Sequence, residues 1–163
     1  MVRAATRGSG TRGEDVTANA RRISNVPESL AWEGDCHIRG EVVMPLDTFN
    51  DSYSDIAPNP RNLAAGALRQ KHAEAGKGKA EDLIFLAYGA ELPQGDAKHP
   101  DSPEPPAFEF DSEFITWLQE IGIEVAGNEV VGGNDSQSTT AEIMTVVNRW
   151  TRSEEHTSEL QSP

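Results

Sequence analysis

The segment 59–70 constrains the fold more than any other part of the chain, because it defines where a helix starts and what that helix presents. Asn59 is a favourable N-cap residue and Pro60 suits the first helical position, so the sequence predicts a helix from residue 60. Arg61 and Arg69 lie about two turns apart on it, and small residues at 64–66 allow close approach. Two guanidinium groups beside the free N–H groups of a helix start suit phosphate. An ordinary surface helix with an exposed arginine pair is the alternative.

Three further blocks occur in a fixed order around this helix. Segment 6–19 reads Thr-Arg-Gly-Ser-Gly-Thr-Arg-Gly-Glu-Asp-Val-Thr-Ala-Asn, segment 38–45 reads Ile-Arg-Gly-Glu-Val-Val-Met-Pro, and segment 84–89 reads Ile-Phe-Leu-Ala-Tyr-Gly. Together the four blocks resemble the TRGDGxxGEDVTxN, RGEVxMP, NPRNxAAGxLRQ and FFxYG motifs of the adenylation domain of NAD-dependent DNA ligases. The resemblance covers about residues 6–125. Four ordered blocks are far more specific than any one of them.

The periodicity of the chain predicts an α+β fold built on antiparallel sheet, because strands and helices do not alternate strictly. Loose alternation over 36–44 predicts a strand with Glu41 near its middle, and the apolar run over 83–87 predicts a buried strand with Tyr88 at its exit. The proline-rich segment 92–106 is predicted to be a loop. The resemblance implies an incomplete nucleotidyltransferase domain of the ATP-grasp-like DNA ligase type.

Two amphipathic helices are predicted in the second half of the chain. Asp111 is a candidate N-cap, and apolar residues recur at helical spacing up to Gly122, a residue type that commonly ends helices: Phe114, Trp117, Leu118 and Ile121. Thr139 and Glu142 form a capping box before a second such stripe that reaches Trp150. Both apolar stripes are predicted to be core, and neither helix offers catalytic groups.

The resemblance implies roles for five residues. Arg7, Glu41, Arg61 and Tyr88 are expected to bind the nucleotide, with Tyr88 stacking on the adenine and Glu41 beside the ribose, where it holds a hydroxyl or a magnesium-bound water. Arg69 and Arg61 are expected to bind phosphate, one toward AMP and the other toward the nicked strand, in an order that the sequence leaves open. All five are expected to converge around one adenylate-sized hollow.

The roles of Glu41 and Tyr88 each have a plainer alternative. Glu41 is otherwise an exposed strand residue paired with Arg39, and Tyr88 is otherwise a buried tyrosine at a strand end. Gly8 and Gly10 would let the loop that carries Arg7 pass close to the nucleotide. Ser9 departs from the family pattern, which has Asp there, and this puts the contribution of that carboxylate in doubt.

Charge and composition limit the functional classes further. The net charge of −13 is regional, because residues 1–79 carry 11 Lys+Arg against 10 Asp+Glu while residues 80–163 carry 3 against 17. The first half can therefore supply the local cations that phosphate contacts need. A single cysteine and four scattered histidines give no metal-ligand spacing, so no transition metal is predicted. No apolar run approaches the ~20 residues of a membrane span, so we predict no membrane association. The resemblance implies a cytoplasmic, nucleoid-associated location in a bacterium.

The resemblance implies the reaction of an NAD-dependent DNA ligase, which seals nicks in duplex DNA in replication and repair. A lysine attacks the α-phosphate of NAD, AMP passes to the 5′-phosphate of a nick, and the 3′-hydroxyl displaces AMP. NAD and Mg²⁺ are the implied cofactors and nicked duplex DNA the implied partner, with no protein partner. The family's nucleophile lies in a KxDG motif that none of the four lysines here matches, and no DGVVIK-like block occurs.

We therefore expect a fragment that holds no catalytic residue and is inactive alone. Residues 1–151 are predicted to be part of the adenylation domain. Residues 152–163 resemble a translated sequencing adapter and are expected to be non-native. Two other interpretations stay open at this point: a catalytically inactive nucleotide- or DNA-binding relative, and an unrelated acidic α+β domain.

Overall fold

The computed structural model describes residues 3–71, 78–93, 101, 103–109 and 111–127. The chain separates into one compact unit over Met1–Ala126 and a second over Gly127–Pro163. The helix predicted around Thr139–Trp150, the tail over 152–163 and residues 94–100 of the proline-rich segment lie outside the described residues. Every element of the first unit follows in chain order: α1 (Thr17–Ala20), β1 (His37–Val43), α2 (Leu46–Ser52), α3 (Pro60–Arg69), a 3₁₀ turn (Ala80–Asp82), β2 (Ile84–Glu91) and α4 (Asp111–Glu120).

The two strands form an antiparallel sheet, which confirms the predicted α+β class at that level. Val43 pairs with Ile84 and His37 with Glu91 at its two ends. On the other edge of β2, Ala87 forms a parallel bridge with Val125. Its N–H donates to the Glu124 carbonyl at 2.9 Å and its carbonyl accepts from the Ala126 N–H at 2.9 Å. β2 is therefore the central strand of this small sheet.

The strand predicted over 36–44 is confirmed as β1, but the predicted end of the second strand is wrong. β2 continues past Tyr88 to Glu91, because residues 89–91 still pair with β1. The register shifts between Arg39, which pairs with Gly89, and Gly40, which pairs with Ala87. Tyr88 is thus the extra residue of a β-bulge inside the strand, a feature that apolar patterning does not reveal.

One face of the sheet is covered by two apolar clusters. The first joins α2 and α3 to the sheet through residues such as Phe49, Leu63 and Val42. The second joins α4 and the segment that follows it to Ile38 and Ala87, and includes fully buried Leu118. Because side chains alternate along a strand, both clusters lie on the face that carries Val42 and Ala87.

The predicted start of α3 and the predicted end of α4 are confirmed, whereas Asp111, the candidate N-cap, is the first residue of α4 itself. The Asn59 Oδ1 accepts from the Asn62 N–H at 2.8 Å, so α3 begins where its cap and proline predict. α4 ends in a Schellman motif in which Gly122 has φ +94° and the Ile123 N–H donates to the Leu118 carbonyl at 2.9 Å. Trp117 and Phe114 stack at 6.1 Å between ring centroids, in agreement with a core role for this stripe.

Candidate nucleotide and phosphate site

Glu41 and Tyr88 lie on the open face of the sheet. Glu41 pairs in register with Leu86, so both side chains lie on the face opposite Val42 and Phe85. Tyr88 follows Leu86 by two residues and is 59% exposed. It is therefore not the buried strand-end tyrosine of the plainer alternative. The face combines an exposed carboxylate, a half-buried leucine and an exposed aromatic ring.

Arg39 occupies the same face but does not pair with Glu41. Its guanidinium lies 3.2 Å from the carboxylate of Glu91, and both side chains are largely exposed. No ion pair within the described part of the chain involves Glu41. The structure thus gives Arg39 a different partner from the one that the plainer alternative for Glu41 requires.

Arg7 lies at the tip of a narrow hairpin that the sequence did not predict. Its two sides are joined by an antiparallel bridge between Ala5 and Asp15, and the Thr6 N–H donates to the Glu14 carbonyl at 2.9 Å. The Glu14 N–H in turn donates to the Thr6 Oγ1 at 3.0 Å. These bonds fix the base of the hairpin, while the Arg7 side chain is exposed.

The glycine at position 8 is explained by the hairpin itself. Gly8 has φ +52°, and a Cβ there would lie 1.9 Å from the Arg12 carbonyl oxygen. Ser9 closes the turn through its backbone, whose N–H donates to the same carbonyl at 3.1 Å. Its side chain makes one long contact of 3.4 Å with the Thr11 hydroxyl. The turn therefore closes without the carboxylate that the family pattern has at position 9.

Arg69 is joined to the base of this hairpin by an ion pair. Its Nε lies 2.8 Å from the Oε2 of Glu14, and both side chains are more than half exposed. Glu14 also bonds Thr6, the neighbour of Arg7, so the ion pair joins Arg69 and the hairpin that carries Arg7 at one corner of the molecule. We call this corner, formed by the hairpin, α1 and the last turn of α3, the arginine corner.

Asn19 fastens the backbone of the same corner. Its Nδ2 donates to the carbonyl of Leu68 at 2.9 Å and to the carbonyl of Gln70 at 2.7 Å. These carbonyls belong to the end of α3, where helical carbonyls lack intrahelical partners. Sequence reasoning missed both Asn19 and Glu14, because side-chain bonds to a distant backbone leave no periodic signal. Their place inside the 6–19 block was the one available clue.

Arg61 lies at the opposite end of α3. It is exposed in the first turn, and eight residues at ~1.5 Å rise place its Cα roughly 12 Å from that of Arg69 along the axis. The structure thus places Glu41 and Tyr88 on the open sheet face and links Arg69, through Glu14, to the hairpin that carries Arg7. No hydrogen bond or ion pair of the described residues links these two groups, and a single hollow lined by all five stays a prediction.

A groove of about 420 Å³ opens elsewhere, against α4. Its walls include Phe108, Trp117 and two glutamates, Glu113 and Glu120, and none of the five predicted site residues lines it. The groove therefore adds nothing to the nucleotide site.

Two carboxylates have lowered pKa values, that of Asp15 in the hairpin and that of Glu81 in the 3₁₀ turn. The Thr17 N–H, which donates to the Asp15 Oδ1 at 3.0 Å, is the main reason that the pKa of Asp15 falls below its ordinary value. The pKa of Glu81 is lowered first by its own backbone N–H and next by Arg22, whose Nη2 lies 2.6 Å away. Both groups therefore favour the charged form in the folded state.

The described residues show neither a metal-binding cluster nor a membrane-spanning helix. Within them, no group of three or more His, Cys, Asp or Glu side chains is placed to hold a metal ion. None of their helices is long and apolar enough to cross a membrane.

Comparisons with known proteins agree with the four sequence blocks. The family profile described as "NAD-dependent DNA ligase adenylation domain" matches residues 1–159. A DNA ligase of Campylobacter concisus (strain 13826) is 40% identical over 158 residues, which cover 90% of this chain and 24% of the relative. DNA ligases of Prochlorococcus marinus (strain MIT 9303) and Gemmatimonas aurantiaca are 37% and 44% identical, over 78% and 60% of this chain and 19% and 15% of the relatives.

The antiparallel α+β fold and these matches define a protein of the DNA ligase class. More narrowly, the chain belongs to the family of NAD-dependent DNA ligase adenylation domains. It spans about a quarter or less of the length of the relatives named above. An unrelated acidic domain is thereby excluded, and nothing in the structure or the comparisons favours the inactive relative.

Proposed function

We propose that the chain contributes the adenylate-binding and phosphate-binding parts of an NAD-dependent DNA ligase that seals nicks in duplex DNA. The observation that carries the proposal is the shared position of Glu41 and Tyr88 on the one sheet face that the apolar clusters leave open. Family membership supports NAD as the substrate that supplies AMP, and relatives named DNA ligase support DNA as the acceptor. A cytoplasmic, nucleoid-associated location and the ATP-grasp-like topology belong to the same proposal.

The open sheet face suits an adenosine for chemical reasons. A base stacked on an exposed aromatic ring gains roughly 1–3 kcal/mol, and the Tyr88 ring is accessible for that contact. Glu41 pairs with Leu86, two residues before Tyr88 on the neighbouring strand. Its carboxylate oxygens can accept hydrogen bonds from ribose hydroxyls. The carboxylate has no ion-pair partner among the described residues, so no ion pair between them has to be broken before a ribose binds.

Phosphate binding is assigned to the arginines. Arg61 beside the first N–H groups of α3 is suited to the AMP phosphate, and Arg69 is suited to a phosphate of the nicked strand. Arg7 is proposed to lie near the sugar or phosphate of the nucleotide. Arg can grip two phosphate oxygens at once, a geometry that Lys does not copy. The described residues form no group of three or more His, Cys, Asp or Glu side chains. Mg²⁺ is usually held by one or two carboxylates together with substrate phosphates, so Glu41 would hold a hydroxyl or a magnesium-bound water.

The chain alone is proposed to be unable to start the reaction. Its four lysines, Lys71, Lys77, Lys79 and Lys98, are none of them followed by the x-Asp-Gly of the family's nucleophile motif. Incubation of this chain with NAD labelled in the adenylate half should leave no covalent AMP on the protein, as read by mass spectrometry. A stable adduct of AMP mass on any lysine would overturn this part of the proposal.

Nucleotide binding tests the sheet face directly. AMP titrated into the 163-residue chain should bind, and Tyr88→Ala should weaken binding about fivefold or more, because it removes the stacking ring. Tyr88→Phe keeps the ring and should bind like the unaltered chain. Ile56→Ala removes another exposed apolar side chain and serves as the matched control. Equal AMP affinities of the Tyr88→Ala and Ile56→Ala variants would show that adenylate does not bind at this face.

A further inference from the structure

The segment 14–19 contacts Arg69 in two separate ways. Glu14 holds the side chain of Arg69 through the 2.8 Å ion pair. Asn19 holds the backbone on both sides of Arg69, because its two donor hydrogens reach the carbonyls of Leu68 and Gln70, the residues immediately before and after it. A single short stretch of chain therefore fixes both the position and the direction of one exposed guanidinium.

Capping of the α3 end alone does not require this arrangement. A helix commonly ends with a glycine that lets following N–H groups satisfy the last carbonyls, as Gly122 does at the end of α4. At the end of α3 Gln70 has extended backbone angles instead, φ −59° and ψ 131°, so the chain turns away at once. Asn19 supplies the missing donors from another element, and in doing so it ties α1, which follows the hairpin in the chain, to the turn that carries Arg69.

We propose that Asn19 is a positioning residue for the phosphate-binding Arg69, with Glu14 as the tether of its side chain. This inference rests on the proposed role of Arg69 in binding the nicked strand. Asn19 touches no nucleotide or phosphate itself. It acts by holding the last turn of α3 against α1, so that Arg69 meets its phosphate without a further ordering cost.

A double-mutant cycle on the 163-residue chain tests the inference. The readout is the Kd for a 5′-phosphorylated nicked duplex at low salt, measured by fluorescence anisotropy. Asn19→Leu removes both donors at nearly constant volume and constant charge, and should weaken binding roughly threefold or more. In an Arg69→Ala background the same change should have almost no effect, because the residue through which Asn19 acts is gone.

Asn25 gives a matched control. Its amide also bonds a distant backbone, accepting from the Phe85 N–H at 2.8 Å and donating to the Phe85 carbonyl at 2.8 Å, but it lies against β2 rather than α3. Any loss of affinity caused by Asn25→Leu should be the same with and without Arg69. Asn19→Ala, which leaves space in place of a bulkier side chain, repeats the test if the leucine variant does not fold.

The possible outcomes separate the inference from the function on which it rests. If Arg69→Ala weakens binding and Asn19→Leu adds its full effect on top, Asn19 is a structural residue only and the inference is overturned while the role of Arg69 stands. If Arg69→Ala binds as tightly as the unaltered chain, or the unaltered chain does not bind the duplex, both are overturned. Coupling of Asn19 to Arg69, absent for Asn25, supports the inference.

Discussion

The arginine corner and the α4 region are held together by different forces. At the corner, Thr6, Glu14 and Asn19 make directed polar bonds to backbone and to Arg69. Around α4, the rings of Phe108, Phe114 and Trp117 pack on one another, and Leu118 is fully buried. The corner leaves cations exposed in a fixed direction, whereas the α4 region leaves no predicted binding group. Apolar packing therefore stabilises the fold, whereas polar bonds fix the direction of the side chains that are proposed to contact ligands.

The largest expected effect separates stability from binding. Leu118→Ala should lower the free energy of unfolding by about 2–5 kcal/mol, because it opens a cavity at a site with no exposed surface. AMP affinity, measured where the variant is still folded, should not change. Urea denaturation and AMP titration check the two halves of this prediction.

Leu46→Ala is the control for that variant, since Leu46 is 43% exposed and its loss should cost less than about 0.5 kcal/mol. A large drop in AMP affinity in Leu118→Ala would show that the α4 cluster shapes the nucleotide face as well. The conclusion that the α4 region stabilises the fold without contributing to binding would then be wrong.

The hairpin of the arginine corner should be broken by a single methyl group. Gly8→Ala places a Cβ against the Arg12 carbonyl in addition to an unfavourable φ, and we expect a local cost above the ~1–3 kcal/mol of backbone strain alone. Gly10→Ala has the same kind of φ, +93°, but open space around the new Cβ, so it should cost less.

Amide hydrogen exchange at Thr6, whose N–H bonds Glu14, measures the opening of this hairpin. Exchange at Leu118 serves as the internal reference for global unfolding. If the two alanine variants exchange alike at Thr6, the close approach at Gly8 is relieved by a small backbone shift and does not hold the hairpin.

A smaller effect concerns the electrostatics of DNA binding. Arg69→Ala should reduce the slope of log K against log salt by ~0.9, the amount expected for one lost phosphate contact. Arg22→Ala makes the same charge change at another ion-paired arginine and should leave the slope unchanged. Equal slopes in both variants would mean that Arg69 contributes only general charge.

The smallest effect is a pH dependence of stability. Asp15 and Glu81 have folded pKa values below their ordinary values of 3.8 and 4.5, so their stabilisation is complete above those values. It is lost as the pH falls through the lower, folded values. Chemical denaturation between about pH 5 and pH 2 should show a shallower decline for Asp15→Asn and Glu81→Gln than for the unaltered chain, with Asp47→Asn as an exposed control.

The α4 region could be predicted closely from sequence, whereas the corner could not. The spacing of Phe114, Trp117 and Leu118 and the glycine at 122 contain the information for the helix and its end, because both are local. The cap of α3 at Asn59 is equally local. The bond from Asn19 to residues about 50 positions away is not, and neither is the bulge at Tyr88, which depends on pairing between two strands.

The candidate site shows the same limit. Glu41 and Arg7 were found through family motifs, and the structure adds where they lie: one on an open strand face, the other at the tip of a hairpin. The alternative pairing of Glu41 with Arg39 followed from their spacing in sequence. It did not anticipate Glu91, which reaches Arg39 from the neighbouring strand.

Tyr88 interrupts the pairing of the two strands, and this interruption costs the sheet stability. Deleting this residue would let Ala87 and Gly89 follow each other in an uninterrupted ladder opposite Gly40 and Arg39. For stability alone, the sheet would be better without this residue. The bulge nevertheless lies at the position where the proposed adenine contact needs an exposed aromatic ring. Stabilising this sheet by making its strand pairing regular would therefore remove the Tyr88 ring.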